Sequence, residues 1–420
     1  WLIFTDAEGT GARLAEALRS SNQDCVLVTQ GEEYAELTPD RVQINPAEPA
    51  DFIRLLSARI YSGAIYMWGL EDRLRENITA SDLLDMQVST TSGLLHLAQA
   101  MAKESKTNIP GLWVVTRGAQ AAGTDSAVNA GASAILGLSR TIALEHPELS
   151  CTRIDLNQEP EANEINSLLT EILQRDASED EIALRDVRLV RRLTRKEVTD
   201  TTSLTFQSDA SYLITGGLGG LGLLVVEWMV KQGARHLMLM GRRGVSEETK
   251  AKLATLGEKG AHIEILKGDV SKSEDLASAL DRAKETMPPL RGIVHAAGVL
   301  DDGILLQQNR SRLVTVMAPK VQGTWNLHLL TRNLPLDFFV MFSSTAAILG
   351  SPGQSNYAAA NAFMDGFAAY RQKQGLPATS INWGAWGEVG MAATHNTEKL
   401  RGVKTFTSTE GLRALGQILQ

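Results

Sequence analysis

A short apolar run, Tyr212-Leu213-Ile214, passes directly into Thr215-Gly216-Gly217-Leu218-Gly219-Gly220-Leu221-Gly222, and an amphipathic stretch, Leu223 to Lys231, follows. A strand that enters a glycine turn and leaves as a helix constrains the fold strongly. The glycines allow a tight turn and close approach to a diphosphate, and the helix N-terminus presents free N–H groups and the positive end of its dipole. A glycine triplet alone carries little information. Here the strand before it and the helix after it are both readable, so a dinucleotide site is expected at residues 215–222.

The surrounding rhythm extends this expectation. Strand-like runs at Tyr212–Thr215, His236–Met240, His262–Lys267, Gly292–His295, Phe338–Ser343 and Ala378–Asn382 alternate with helical patterns centred on 221–232, 246–258, 273–286, 311–331 and 356–373. Such alternation predicts a doubly wound parallel sheet. The amino half repeats it, with strands expected at Trp1–Thr5, Cys25–Thr29, Ala64–Trp68, Leu112–Arg117 and Cys151–Leu156. An extended return strand is expected at Glu181–Thr194, then a polar linker at Arg195–Ser208. At 420 residues the chain is long enough for two domains. The expected fold is therefore α/β, with two Rossmann-like, doubly wound parallel-sheet subdomains, 1–205 and 206–420, the N-terminal one degenerate.

An internal duplication supports that division. At an offset of 227 residues, Trp113 to Arg117 falls on Val340 to Ser344, Asn129-Ala130-Gly131 on Asn356-Tyr357-Ala358, and Arg153-Ile154-Asp155 on Ser380-Ile381-Asn382. At an offset of 211, Leu2-Ile3 and Gly11 fall on Leu213-Ile214 and Gly222. The amino half therefore has Arg117, Ala130 and Ala134 where the carboxyl half has Ser344, Tyr357 and Asn361. Its own turn, Asp6-Ala7-Glu8-Gly9-Thr10-Gly11, places two carboxylates where a diphosphate would sit. It is expected to be a structural partner without cofactor or catalytic groups.

Composition excludes several classes. A net charge of −8 argues against nucleic acid or an anionic membrane as a main partner. No apolar run approaches the roughly 18 residues of a membrane span. Cys25 and Cys151 are isolated, without CxxC or framework spacing, which fits two buried thiols in a reducing cytoplasm and predicts no metal site. The chain starts at Trp1 within a strand-like run and stops at Gln420 within a helical pattern, without signal peptide or initiator methionine. It is expected to be a piece of a longer polypeptide.

The chemistry concentrates in four residues. Ser344 stands at a strand end, Tyr357 on an early helical turn 13 residues later, and Asn361 one turn further on the same face, while Lys320 lies on the preceding helical segment. A tyrosine can protonate a reduced ketone, but with a free pKa of about 10 it needs a nearby cation to stabilise the phenolate. Lys320 can supply that charge, and Ser344 can hydrogen-bond the substrate carbonyl. Arg242-Arg243 follows the second strand, where the adenosine ribose would lie, and arginines there favour a 2′-phosphate, hence NADPH over NADH. Asp269-Val270 is expected beside the adenine, and the small residues of His295-Ala296-Ala297-Gly298 beside the nicotinamide ribose, with His295 itself structural. Trp383 and Trp386, with Gly384 and Gly387, read as a loop beside the nicotinamide. Val389 to Leu400, with Met391 at its start, reads equally as a mobile lid or a surface helix.

These residues closely resemble the ketoreductase domain of modular polyketide synthases, in the short-chain dehydrogenase/reductase superfamily. The resemblance rests on TGGLGGLG at 215–222, GRRG at 241–244, GDVS at 268–271, HAAGVLDD at 295–302, APKVQGTWNLH at 318–328 and FSSTAAILGSPGQSNYAAANAFMDG at 342–366. Single-domain reductases of the superfamily carry Tyr-x-x-x-Lys. This chain has Tyr357-x-x-x-Asn361 with the lysine at Lys320, an exchange that the multidomain synthases show.

The resemblance implies a β-ketoacyl substrate on the phosphopantetheine arm of an acyl carrier protein, with neighbouring synthase domains in the same polypeptide. It implies Tyr357 and Lys320 at the nicotinamide ribose, and Asn361 positioning the lysine and a water relay. Leu300-Asp301-Asp302, Leu349 in place of a tryptophan, Pro352, Gln354 and Asn356 resemble the B1-type pattern, which implies a D-configured 3-hydroxyl. A plainer alternative has Asp301-Asp302 capping a helix that begins near Gly303. A nucleotide-sugar epimerase or dehydratase would keep lysine four residues after the tyrosine, against Asn361. A fatty-acid-synthase-like ketoreductase and an inactive scaffold domain remain as further readings.

Overall fold

The computed structural model describes residues 1–103, 110–123, 128–174, 178–196, 204–390 and 405–420. Fifteen strands among them form two sheets. The first sheet contains β1 (Leu2–Phe4), β2 (Val26–Gln30), β3 (Ala35–Thr38), β4 (Arg41–Ile44), β5 (Ala64–Tyr66), β6 (Leu112–Arg117), β7 (Thr152–Leu156), β8 (Glu181–Leu184) and β9 (Arg188–Val190), in the order β3-β4-β2-β1-β5-β6-β7-β8-β9. All its pairs are parallel except β3–β4 and β8–β9. The second contains β10 (Ser211–Thr215), β11 (His236–Gly241), β12 (His262–Lys267), β13 (Leu290–His295), β14 (Phe338–Ser344) and β15 (Thr379–Trp383), all parallel, in the order β12-β11-β10-β13-β14-β15.

The two sheets share one plan. The order β4-β2-β1-β5-β6-β7 in the first matches β12-β11-β10-β13-β14-β15 in the second. Thr116 pairs with Asp155 across β6 and β7, and 227 residues later Ser343 pairs with Asn382 across β14 and β15. The offset read from the sequence thus carries through the register of two strands. The strands on which helices pack from both faces read as unbroken apolar runs. Between them, helix Ser273–Thr286 buries Leu276, Ala279, Leu280 and Ala283, and places Glu274 and Asp275 in its first turn.

Two expectations need correction. Glu181–Thr194 is not one return strand: β8 runs parallel to β7, and the chain reverses at Arg185–Val187 into antiparallel β9. The pair β3–β4 has no counterpart among the expected strands, because the segments are only four residues long: β3 is largely exposed, and β4 buries just Val42 and Ile44. Part of the expected linker, 197–203, lies outside the described residues, while Phe206, two residues before its end, is buried against Tyr212, Trp228 and Phe338.

The chain divides into two compact units that differ from the expected cut at 205/206. One comprises Trp1–Leu193, Asp301–Met317 and Ala346–Gln374, and the other Thr194–Leu300, Ala318–Thr345 and Gly375–Gln420. The physical reason lies in the helices. Helix Ser355–Lys373 packs along helix Ser133–Glu145, so closely that a Cβ on Gly137 would lie 2.2 Å from the Ala358 carbonyl oxygen. Small residues permit that approach: Gly137 lies against the backbone of Ala358 and Ala359, and Gly366 against Ser133 and Ala130.

Candidate functional site

The second unit builds a cleft at the carboxyl ends of β10, β11 and β12, lined by Thr215, Gly216, Arg242, Asp269, Gly298 and Pro319 among others. Gly216 has φ +71°, and a Cβ there would lie 2.9 Å from the Ala296 backbone, so only glycine lets the turn meet the end of β13. Helix Gly220–Lys231 then begins on Gly219 with no side chain accepting from its first N–H groups. A Cβ at Gly219 or Gly220 would meet nothing closer than 3.4 Å, so room remains beside those donors. The Gly219 N–H is used within the turn, donating to the Gly216 carbonyl at 3.0 Å. The N–H groups of the first helical turn after it, with no side-chain cap and space in front of them, fit a diphosphate-containing dinucleotide.

Arg242 and Arg243 follow β11, and both are exposed. The Arg242 guanidinium lies 3.7 Å from the Asp269 carboxylate. Asp269 also accepts from the Ser271 amide and hydroxyl, at 3.0 and 2.7 Å, while its own amide donates to Asp275. Asn326, which the sequence reading missed, is buried and donates to the Val270 carbonyl at 3.0 Å. An asparagine six residues after Lys320, within APKVQGTWNLH, was the available signal.

His295 and Lys320 tie helix Arg310–Thr331 to the strand ends. His295 is fully buried, and loss of hydration, reinforced by the Lys320 charge, pulls its pKa down to about 3. Its Nε2 lies 3.1 Å from the Pro319 carbonyl and its Nδ1 2.6 Å from the Thr215 hydroxyl. A carbonyl only accepts, so Nε2 donates to Pro319 and Nδ1 accepts from Thr215. Lys320 is 2% exposed, and its Nζ donates to the Phe342 carbonyl at 3.0 Å. A Cβ on Gly298 would lie 3.1 Å from the Lys320 Cε, so the lysine stem passes directly under that segment. Ser344 closes β14, where Asn382 donates to its carbonyl and to the Ser343 hydroxyl, at 3.2 and 3.1 Å.

The first unit holds Tyr357 on the third residue of helix Ser355–Lys373, and the Asn361 amide donates to the Tyr357 carbonyl at 2.7 Å. It also brings most of the proposed substrate residues together. The Asp301 carboxylate accepts from Arg312 Nε and Nη2, at 2.9 and 2.7 Å, and its carbonyl accepts from the buried Asn356 amide at 2.8 Å. Asn356 in turn accepts from the Tyr357 backbone N–H at 2.8 Å, and Gln354 donates to Asp302 at 3.1 Å. The helix-cap alternative for Asp301-Asp302 fails, because no α-helix begins at Gly303. A single 3-10 turn, Leu305–Gln307, precedes helix Arg310–Thr331. Leu349 and Pro352 are exposed. Met391 and most of the Val389–Leu400 segment lie outside the described residues.

A larger cleft in the first unit is lined by Arg73, Arg117, Asn129, Gln158, Tyr370 and Lys373. Arg117, at the position corresponding to Ser344, is buried and locked to Glu164 at 2.6 and 2.8 Å. Among the described residues no helix is long and apolar enough to cross a membrane, and no group of three His, Cys, Asp or Glu could hold a metal. Cys25 and Cys151 are both buried.

Family models match twice: the KR domain over residues 210–388, and the Rossmann fold domain of polyketide synthase extender module SpnB over 73–193. The chain is 34% identical over 362 residues to a phenolphthiocerol/phthiocerol polyketide synthase of Mycobacterium tuberculosis, covering 84% of this chain and 19% of that protein. It is 36% identical over 359 residues to 6-methylsalicylic acid synthase of Aspergillus niger, covering 80% and 19%. The chain thus spans about a fifth of the length of these curated relatives. Among solved structures, an A1-type ketoreductase superposes with a TM-score of 0.83 at 31% identity, covering 100% of this chain and 86% of that one. The first ketoreductase of the tylosin synthase gives 0.80 at 27%, covering 100% and 87%.

Proposed function

The chain belongs to the ketoreductase domains of modular polyketide synthases, and on that premise we propose that it reduces a β-ketoacyl group, carried on an acyl carrier protein, to the D-β-hydroxyacyl group with NADPH. The observation that carries this reading is the junction around Lys320. One buried ammonium reaches the Phe342 carbonyl of β14 and its stem passes under Gly298, at the mouth of a cleft whose glycine turn opens a helix with no side-chain cap and whose rim carries Arg242. NADPH, when bound, supplies the hydride to the β-carbon.

The chain's own groups do the rest. The N–H groups of Gly220 and Leu221 hold the diphosphate, and Arg242 and Arg243 take the 2′-phosphate. Ser344 donates to the substrate carbonyl, and Tyr357 delivers the proton to the alkoxide oxygen as it forms. Lys320 lowers the cost of the phenolate that remains, and Asn361 helps to position the lysine and a water relay. Neutral His295 holds strand and helix in register without joining the proton transfer. Leu300-Asp301-Asp302 with Leu349, Pro352 and Asn356 supports the D-configured product. The A-type labels of similar structures belong to those proteins.

A stopped assay tests the reading. With a β-ketoacyl thioester and NADPH, the protein should yield the 3-hydroxy product, read by chiral chromatography as predominantly D. Tyr357→Phe should lower turnover by about 10²–10⁴-fold, with NADPH still bound in fluorescence titration. Undiminished turnover in that variant, or no NADPH binding by the wild type, would overturn it.

A further inference from the structure

We propose that Glu145, in the amino-terminal half, is a positioning residue for substrate orientation in the reductase; the proposal rests on the function given above. Glu145 is the last residue of helix Ser133–Glu145. Its Oε2 accepts from the Leu305 backbone N–H at 2.6 Å, and its Oε1 from the Gly353 backbone N–H at 2.9 Å. Leu305 follows the Asp301-Asp302-Gly303 segment, and Gly353 lies between Leu349 and Tyr357. One carboxylate therefore joins the two loops that bear the residues assigned to stereochemical control.

The same helix end shapes the second loop throughout. Arg140, held by Glu181 at 3.0 Å, donates to the Ala347 carbonyl. Thr141 accepts from the Ser351 N–H at 3.3 Å. Gly350 lies flat against the helix, where a Cβ would come 2.8 Å from the Arg140 carbonyl oxygen. Between the loops, the Gly303 N–H donates to the Gly353 carbonyl at 2.8 Å. Asn356 links the Asp301 carbonyl to the backbone of Tyr357.

Helix stability does not explain the residue. The last turn of a helix disfavours a carboxylate, because the dipole is negative there. The two loop N–H groups do explain it, since an ionised carboxylate is the side chain that only accepts and does so on two oxygens. A glutamine in place of Glu145 could accept one of the two bonds and would turn a donor toward the other, while an alanine would accept neither. Misplacing a reacting group by about 1 Å can cost up to about 100-fold in rate, and the two faces of a carbonyl differ by less than the width of these loops.

The test uses the full chain with a 3-oxopentanoyl thioester and NADPH, reading kcat, KM, product enantiomer ratio and NADPH affinity for the wild type, E145A and E145Q. E145A should lose roughly tenfold in kcat/KM and raise the minor enantiomer about fivefold, with NADPH affinity within about twofold because its cleft lies on other elements. E145Q should fall between. A wild-type enantiomer ratio in both variants overturns the proposal. If E145A loses NADPH affinity and activity together, E145Q decides: an altered ratio with intact affinity supports the role, and an unaltered one overturns it. A wild type that does not reduce the thioester sinks the functional reading itself, whereas an active wild type with indifferent variants sinks only the role of Glu145.

Discussion

The two glycine turns of this protein solve the same backbone problem and end oppositely. In the second unit, helix Gly220–Lys231 starts with no side chain on its N-terminal N–H groups. In the first, the buried carboxylate of Asp6 accepts from the Thr10 and Gly11 N–H groups at 3.1 and 2.7 Å, so the chain supplies its own anion. The contrast recurs beyond the turns: Arg117, locked to Glu164, ends β6 where Ser344 ends β14, and Ala130 stands in a 3-10 turn where Tyr357 stands in a helix. A duplicated scaffold can thus retain its packing while one copy fills its anion site internally. We propose that the first unit is a structural partner that binds no cofactor.

The strongest way to break this contrast is to give the second turn what the first has. Gly220→Asp adds a carboxylate at the first helical position, where the dipole tolerates it and space exists. Placed against a diphosphate, like charge costs several kcal/mol, so NADPH affinity should fall on the order of 100-fold while the melting temperature stays near that of the wild type. Unchanged NADPH affinity would show that the turn does not hold the diphosphate.

The reverse change has a smaller effect and sharpens the comparison. Asp6→Ala leaves two backbone donors at a buried helix end without their acceptor, for a loss of about 2–3 kcal/mol in unfolding free energy. NADPH should still bind with a stoichiometry of one, measured by calorimetry. A second equivalent in the variant would mean that the carboxylate alone keeps the cofactor out of the first unit.

Most of this organisation was legible because glycine turns, apolar strands and spaced polar residues leave a local trace. TGGLGGLG and the strand expected at Phe338–Ser343 announced themselves, and the offset of 227 survived into the pairing of Ser343 with Asn382. The allocation of helix Ser355–Lys373 to the first unit was not read, although Ala358-Ala359-Ala360 signalled a close helix contact; small residues say that something approaches, but not what. Glu145 was invisible for a different reason. Its partners are backbone N–H groups far along the chain, which leave no pattern in side-chain identity. Arg312 likewise meets Asp301 only because the chain turns through Leu305–Gln307 instead of starting a helix at Gly303.

The smallest expected effect concerns how each half fastens its central helix to its sheet. In the second unit, His295 donates to the Pro319 carbonyl; at the corresponding place in the first, the Tyr66 hydroxyl donates to the Thr90 carbonyl at 2.8 Å. Burial raises the Tyr66 pKa well above 10, so it stays neutral across the acid and neutral range. Burial lowers His295 to about 3, from about 6.5 in an unfolded chain. Below pH 6.5 the unfolded state binds a proton that the native imidazole refuses, so the stability due to neutral His295 is complete above pH 6.5 and is lost as pH falls toward 3. The slope is about 1.4 kcal/mol per pH unit. His295→Gln keeps a donor for Pro319 and an acceptor for Thr215 but does not titrate. It should be about 1 kcal/mol less stable than the wild type at pH 7.5 through imperfect fit, and should lose stability less steeply between pH 6 and 4 in urea unfolding. Parallel slopes for the two proteins would mean that the acid sensitivity of the second unit arises elsewhere, and that exchanging tyrosine for histidine at this joint altered packing alone.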